Sequence, residues 1–346
     1  MITRAAKKED IGRLKELWKQ GFGDSDGFID WYFRARFPKG GASVSEEDGR
    51  IVSMAFFQPM RMRLRSATVD AAMLNGVYTL PEYRKRGLMH ENVLFLEREA
   101  AALGIPAMIN TPAGKNHYHG LGHRYIASCE RRTLLPEGDG AVSLLENDIT
   151  AHARQTLLAY EAMSARYSGM IVRDIDAQRE RLDDYASDGA YMIRLKRGEA
   201  TAAYAVLYEL SERFLCPECV YTDDAAREEL LTLLKRLGRP CEVKLPGSAP
   251  TAVGAVLDAA RLLRRFDLPF SMEVRDDILP ENCGVFSLDG KPHPPVCAID
   301  AARLMPLLIG SCGLCEKNGI IVYDEKGAEE LNALLPERQC FMIEEY

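Results

Sequence analysis

No apolar run in this chain approaches the ~20 residues that a membrane-spanning helix needs. Its first residues, MITRAAKKEDIGRLKELW, carry charge where a secretion signal has an apolar core and a small-residue cleavage site. Positive charge is not in excess: 44 Lys and Arg against 51 Asp and Glu leave a net charge of −7. That argues against general nucleic-acid binding, though not against a locally held anion. Low-complexity segments are missing too. Cysteine is present in an odd number, nine, with no export signal, so reduced thiols in a cytoplasmic protein with no membrane partner are expected. What remains is an ordinary globular composition, 47% apolar and 27% charged over 346 residues. That length suggests roughly two or three domains, with no need of metal or disulfide to hold a core.

Periodicity orders the rest. Ile11, Leu14, Leu17 and Trp18 share one side of an amphipathic helix over 8–19. Strand patterns follow at 40–45, 51–60 and 69–80, the first two joined by the turn Glu46-Glu47-Asp48-Gly49 and the last ended by Pro81. A basic loop, Tyr83-Arg84-Lys85-Arg86-Gly87, then runs into a helical stretch over 88–103, stopped by Gly104, and 105–110 is a short apolar strand. A meander followed by one β-α-β unit predicts a mixed α/β (α+β) arrangement, not a doubly wound sheet. Leu135-Pro136-Glu137-Gly138-Asp139-Gly140 reads as a linker. Beyond it, strand patterns at 190–195, 200–210 and 214–221 and a helix over 224–237 repeat the meander-then-helix order, without a basic glycine-bearing loop. A third region begins near Phe266, with strands around 270–274 and 283–288, a helix over 301–308, and a closing apolar stretch, Cys340-Phe341-Met342-Ile343.

The basic loop is the first candidate site. The leading amides of a helix have no intrahelical acceptor, and the helix dipole favours negative charge there. Gly87 lets backbone approach an anion, and Arg84, Lys85 and Arg86 add charge where those amides point. Taken alone, a solvated basic loop with a capping glycine explains the same residues.

The flanking residues favour the anion site. Gly76-Val77-Tyr78-Thr79-Leu80-Pro81-Glu82-Tyr83-Arg84-Lys85-Arg86-Gly87-Leu88 resembles the central motif of the GNAT acetyltransferase superfamily: a strand, then V-x-P-x-Y-R, then R/Q-x-x-G-x-G/A at a helix start. Arg84 and Gly87 match its first two fixed positions, Met89 stands where Gly or Ala is usual, and Lys85 replaces a frequent glycine. The resemblance implies acetyl-CoA as cosubstrate. Backbone groups of Val77 and Tyr78 would bond its pantetheine arm, and the amides of Arg86, Gly87, Leu88 and Met89 its phosphates, with a splay between neighbouring strands for the arm. Lys115–His123 is similar to the superfamily's Y-x-x-L/F-G-F segment, which makes Tyr118 the general acid that protonates the leaving thiolate; a phenol is a neutral donor at pH 7. The competing reading of Tyr118 is a packed aromatic. His123 stands where an aromatic is usual. With His117 and His119 it is read as lining a polar cleft, because no cysteine or carboxylate set completes a metal site.

Over nearly the whole chain the pattern resembles the Enhanced-intracellular-survival (Eis) acetyltransferases: a catalytic GNAT domain at 1–135, a second GNAT-like domain at 136–262 without the CoA loop, and a sterol-carrier-like α+β domain at 263–346. The last rests on Met272–Asp277, Pro280–Phe286 and the terminal apolar stretch. The resemblance implies direct transfer to a primary amine, aminoglycoside-, polyamine- or lysine-like, in a possible homohexamer. It also implies that the α-carboxylate of Tyr346 acts as the base, with Glu344 and Glu345 adding attraction for a cationic substrate. A non-catalytic binding protein holding an apolar ligand is the rival reading. A zinc-stabilised scaffold is a third, because Cys216-Pro-Glu-Cys219 and Cys312-Gly-Leu-Cys315 are both C-x-x-C. The two pairs lie too far apart for a zinc ribbon, and the first falls in a strand pattern, so buried free cysteine is expected and no metal. A redox role needs a C-x-x-C at a helix start, which only the second pair could offer.

Overall fold

A computed structural model describes residues 1–113, 115–315 and 319–345. Eleven strands form one sheet: β1 (Ile2–Ala5), β2 (Gly41–Glu47), β3 (Arg50–Leu64), β4 (Ala67–Thr79), β5 (Ala107–Asn110), β6 (Arg124–Leu134), β7 (Tyr191–Arg197), β8 (Ala200–Glu209), β9 (Phe214–Tyr221), β10 (Cys241–Pro246) and β11 (Ala249–Val256). Their spatial order is β1-β2-β3-β4-β5-β11-β6-β10-β9-β8-β7. The two halves interlock at the centre. β11 runs antiparallel to both β5 and β6, and β6 lies between β11 and β10, so neither half closes its sheet with its own strands alone.

Helices cover both faces. β3 accordingly reads as a continuous apolar run, buried at every position from Ile51 to Gln58, as a strand covered on both faces does. On one face, α1 (Ile11–Phe22) and α2 (Asp26–Ala35), the latter capped by Ser25, pack Leu17, Trp18, Ile29, Tyr32 and Phe33 onto Met54, Phe56 and Tyr78. On the other, α3 (Leu88–Ala102) packs Val93, Leu96 and Ala100 onto Ala55, Phe57 and Leu74. The far half carries α4 (Ala153–Ser164), α5 (Ile175–Ser187) and α6 (Asp224–Lys235). After α7 (Ala259–Leu263), a four-stranded sheet forms from β12 (Ser271–Arg275), β13 (Gly284–Ser287), β14 (Pro295–Asp300) and β15 (Ile321–Val322), in the order β13-β12-β14-β15, with α8 (Ala301–Ile309) and α9 (Glu325–Leu334).

Two devices join this last region to the rest. Arg65, in the β3–β4 turn at φ +58°, is buried and donates to the carbonyls of Leu307, Leu308, Leu335 and Pro336 at 3.0, 2.9, 3.0 and 2.6 Å. The closing apolar stretch is buried and extended. Phe341 and Ile343 enter the core of the far half, while Cys340 and Met342 enter the core shared by β3, β4 and the small sheet. Side chains alternating at period two are what let one segment serve two cores.

Arg65→Met should remove these bonds and leave buried carbonyls unpaired, lowering stability in urea denaturation by about 3 kcal/mol. Arg65→Lys should not restore it, because a single ammonium cannot span four acceptors.

Candidate active site

The site begins with an irregularity in β4. Phe56 faces Asn75 and Met54 faces Tyr78, so Gly76 and Val77 together oppose Ala55, a β-bulge. Gly76 sits at φ +56°, and a Cβ there would lie 2.6 Å from Phe56 and 2.7 Å from Trp18, so glycine is required. On its other edge β4 pairs with β5 only at Ala72–Met108 and Met73–Ile109. Beyond that point the two strands part, and Leu74–Thr79 keeps β3 alone as a neighbour among the described residues.

After Pro81 the chain turns through two left-handed residues, Lys85 at φ +61° and Gly87 at φ +82°, into α3. Among the described residues no acceptor in the chain takes the amides of Lys85, Arg86, Gly87, Leu88 or Met89; the first helical bond runs from Glu91 N–H to the Gly87 carbonyl at 3.0 Å. A Cβ at Gly87 would meet nothing within 4 Å, so the turn opens outward. Arg84, Lys85 and Arg86 are exposed. Arg84 Nε donates to the Thr79 carbonyl at 3.0 Å, and Arg86 lies 3.5 Å from Glu47. These donors fit a diphosphate, because open amides, a positive helix end and exposed cations converge. Lys85 adopts the left-handed turn without glycine, and Met89 is half-buried against the apolar cluster under α3. A buried residue that local spacing did not reveal fixes the helix start. Asn92 Nδ2 lies 2.9 Å from the Leu88 carbonyl, 2.7 Å from Ser45 Oγ and 3.1 Å from Ser53 Oγ, while Ser53 Oγ donates to the Tyr78 carbonyl at 3.1 Å.

Tyr118 follows β5 in a tight turn. Its N–H donates to Asn116 Oδ1 at 3.0 Å, and its carbonyl accepts from Leu121 and His123. The side chain is half-buried on the cluster that also receives Val77 and Met89, so strand, loop and tyrosine meet around one core. Burial pushes the Tyr118 phenol up, opposed by the Asn110 side chain. His123 departs from the expected cleft lining. It is fully buried, with Nε2 3.0 Å from Glu97 Oε1 of α3. A carboxylate under a helix needs a donor, and that need places an imidazole where an aromatic is usual. His117 and His119 are exposed.

On the Trp18 side of the bulge lies a cavity of about 240 Å³, lined by Trp18, Phe28, Tyr32, Asn75 and Gly76, by Asp184, Tyr185, Tyr208 and Pro217 of the far half, and by Glu345. Four carboxylates line it: Asp24, Asp184, Asp188 and Glu345. Asp184 is paired with Arg181 at 2.7 Å and Arg36 at 3.2 Å, and Glu345 with Arg131 at 2.7 Å and Lys244 at 2.8 Å. Asp24 accepts from Trp18 Nε1 at 2.8 Å; neither it nor Asp188 has a cationic side-chain partner among the described residues. Burial, and then the charge of Asp184, with Asp188 and Asp24 adding to it against Arg181, raises the Tyr208 phenol. Arg181 lines the cavity too, so four carboxylates face one guanidinium in a lining with aromatic walls, and two of the four, Asp24 and Asp188, carry the unpaired negative charge. Glu344 departs from the expected role: it is buried and bonded to Arg173 at 2.7 Å, so its charge is neutralised inside the protein. Tyr346 lies outside the described residues. Cys216 and Cys219 are buried and Cys315 is exposed.

His123→Leu should leave Glu97 unpaired and lower stability by about 2 kcal/mol in denaturant unfolding. Adding Glu97→Leu should recover most of that loss, since an apolar pair of similar volume leaves no orphaned charge.

Residues 3–126 match the family model described as an acetyltransferase (GNAT) domain. Solved structures resemble the chain over its full length. A conserved protein of unknown function from Enterococcus faecalis aligns at TM-score 0.81 and 14% identity, covering 100% of this chain and 99% of that one. A GCN5-related N-acetyltransferase from Anabaena variabilis aligns at 0.80 and 15%, and Eis1 from Mycobacterium abscessus at 0.74 and 15%, each covering 100% of both chains. At such identities the likeness is one of fold. No curated protein matches the chain.

Proposed function

We propose that this chain, an acyltransferase by its GNAT domain at residues 3–126, moves an acetyl group from acetyl-CoA to a cationic primary amine by direct attack. The reading is carried by one juxtaposition: the open amide turn at Gly87 and the acidic aromatic cavity lie at the two ends of one bulged, half-unpaired strand segment. Acetyl-CoA, when bound, supplies an acetyl thioester. The amides of Arg86, Gly87, Leu88 and Met89, with Arg84 and Lys85 beside them, would hold its diphosphate, and the free edge of β4 at Val77 and Tyr78 its pantetheine arm.

The remaining steps belong to the chain's own groups. Asp24 and Asp188 raise the local concentration of a cationic amine, and the aromatic walls suit its apolar stem and ammonium head. The amine must lose a proton before it attacks. By resemblance, the α-carboxylate of Tyr346, next in sequence to the cavity-lining Glu345, accepts it. Tyr118 donates a proton to the departing sulfur, and its raised pKa keeps that proton available through neutral and mildly alkaline pH. The acceptor is aminoglycoside-, polyamine- or lysine-like. The protein is taken as an Eis-type cytoplasmic enzyme, a hexamer, with units 1–135, 136–262 and a sterol-carrier-like 263–346.

At 100 times its dissociation constant, acetyl-CoA should stabilise the protein by about 2.7 kcal/mol; absence of a shift in thermal unfolding overturns the reading. Tyr118→Phe should lower kcat on a responsive amine by about 100-fold or more with KM little changed. Because the phenol pKa is raised, the wild-type rate should show no loss of the acid below about pH 10. Thiol release unchanged in Tyr118→Phe would remove the general-acid role of Tyr118, whereas no thiol release by the wild type across an amine panel would favour a non-catalytic binding role. Asp24→Asn with Asp188→Asn should raise KM for a dicationic amine roughly tenfold, and less so at high salt, in steady-state kinetics.

A further inference from the structure

The pair Cys216–Cys219 opens no helix, yet the two residues between its cysteines connect the far half of the protein to the cavity. β9 slips against β8: Val206 faces Glu218 while Tyr208 faces Leu215, so Cys216 and Pro217 together oppose Leu207. Proline, lacking an N–H, is tolerated at such a bulge. The slip places Pro217 in the cavity wall and Glu218 in the interior, fully buried.

Glu218 is a hub. Its two oxygens accept from Arg173 Nη1 and Nη2, each at 2.8 Å, in a fork. The hydroxyls of Tyr204 and Tyr185 donate to it at 2.6 and 3.2 Å. Arg173 lies over the Tyr160 ring at 3.9 Å and donates to Glu344 Oε1 through Nη2 at 2.7 Å and Nε at 3.2 Å. Glu344 immediately precedes the cavity-lining Glu345, and Tyr185 lines the same cavity. A buried ion pair is weak evidence for stability in itself, because apolar replacements often do as well. What this one does is join Glu344 to the cavity wall through the Arg173–Glu218 fork, with the Tyr160 hydroxyl also donating to Glu344 at 3.2 Å.

We propose that Glu218 and Arg173 are positioning residues for the transfer reaction: by holding Glu344 they set the register in which Glu345 enters the acceptor cavity, and through Tyr185 they fix the facing wall. The inference rests on the acetyltransferase reading of that cavity. It gives the far half a part in amine recognition.

The test uses the full chain with Glu344→Gln and, separately, Glu218→Gln, under two readouts. Hydrogen exchange by mass spectrometry over 340–345 should quicken in both variants. Steady-state kinetics should show kcat/KM for the amine falling roughly 10- to 100-fold, with the Kd for acetyl-CoA within about twofold of wild type. Unchanged exchange in these variants, or faster exchange with unaltered amine kinetics, overturns the proposal, and a matching loss of acetyl-CoA affinity reduces the pair to a structural role and also overturns it. Should Glu218→Gln fail to fold, Glu344→Gln decides alone, since it keeps the side chain's shape and leaves the Arg173–Glu218 fork in place. Wild-type inactivity on every amine would instead sink the acetyltransferase reading, and the exchange measurement would still report on the tether.

Discussion

The architecture depends on a strand that is not allowed to finish its pairing. β4 is hydrogen-bonded along its length to β3, but to β5 only at Ala72 and Met73. The bulge at Gly76–Val77 turns the strand just where its second neighbour leaves. A sheet edge in the middle of a sheet is costly unless something bonds to it, and a ligand arm of peptide-like groups can supply those bonds. Trp18 and Phe56 enforce the bend, because they occupy the space that a Cβ at position 76 would need. Asn92, by holding the first turn of α3 against β2 and β3, keeps the open amides of 85–89 at a set distance from the gap.

The cavity opposite that gap is a joint product of distant parts of the chain. Its aromatic floor comes from α1 and α2, its far wall from α5, β8 and β9, and one carboxylate from the last described residue. The interlocked strands make this possible: with β11 inserted between β5 and β6, the halves form one continuous sheet and cannot drift apart without breaking backbone pairing. Two of its carboxylates are neutralised by arginine and lysine, which leaves Asp24 and Asp188 without a cationic side-chain partner among the described residues.

The first of the two C-x-x-C spacings has its consequence in strand geometry. Cys216 and Cys219 bracket a slip in strand register, and the slip is what buries Glu218 and turns Pro217 to the cavity. Short motifs carry a residue type and a spacing; the structure decides which atoms of the motif are used.

Much of the half that holds the amide turn was legible from the chain itself, because local rules govern it. A strand ending in proline, a basic turn with glycine at φ > 0 and a helix opening on unbonded amides are written within the short stretch 76–89. The apolar stretch Cys340–Ile343 had to be buried for the same kind of reason. Long-range partnership was not legible. Nothing near His123 announces Glu97, nothing near Glu344 announces Arg173, and the meeting of Asp24 with Asp184, Asp188 and Glu345 needs segments that touch only after the two halves have exchanged strands. Backbone conformation and amphipathic faces follow from neighbours in sequence, whereas the partner of a buried charge is whichever opposite group the finished packing brings within bonding distance.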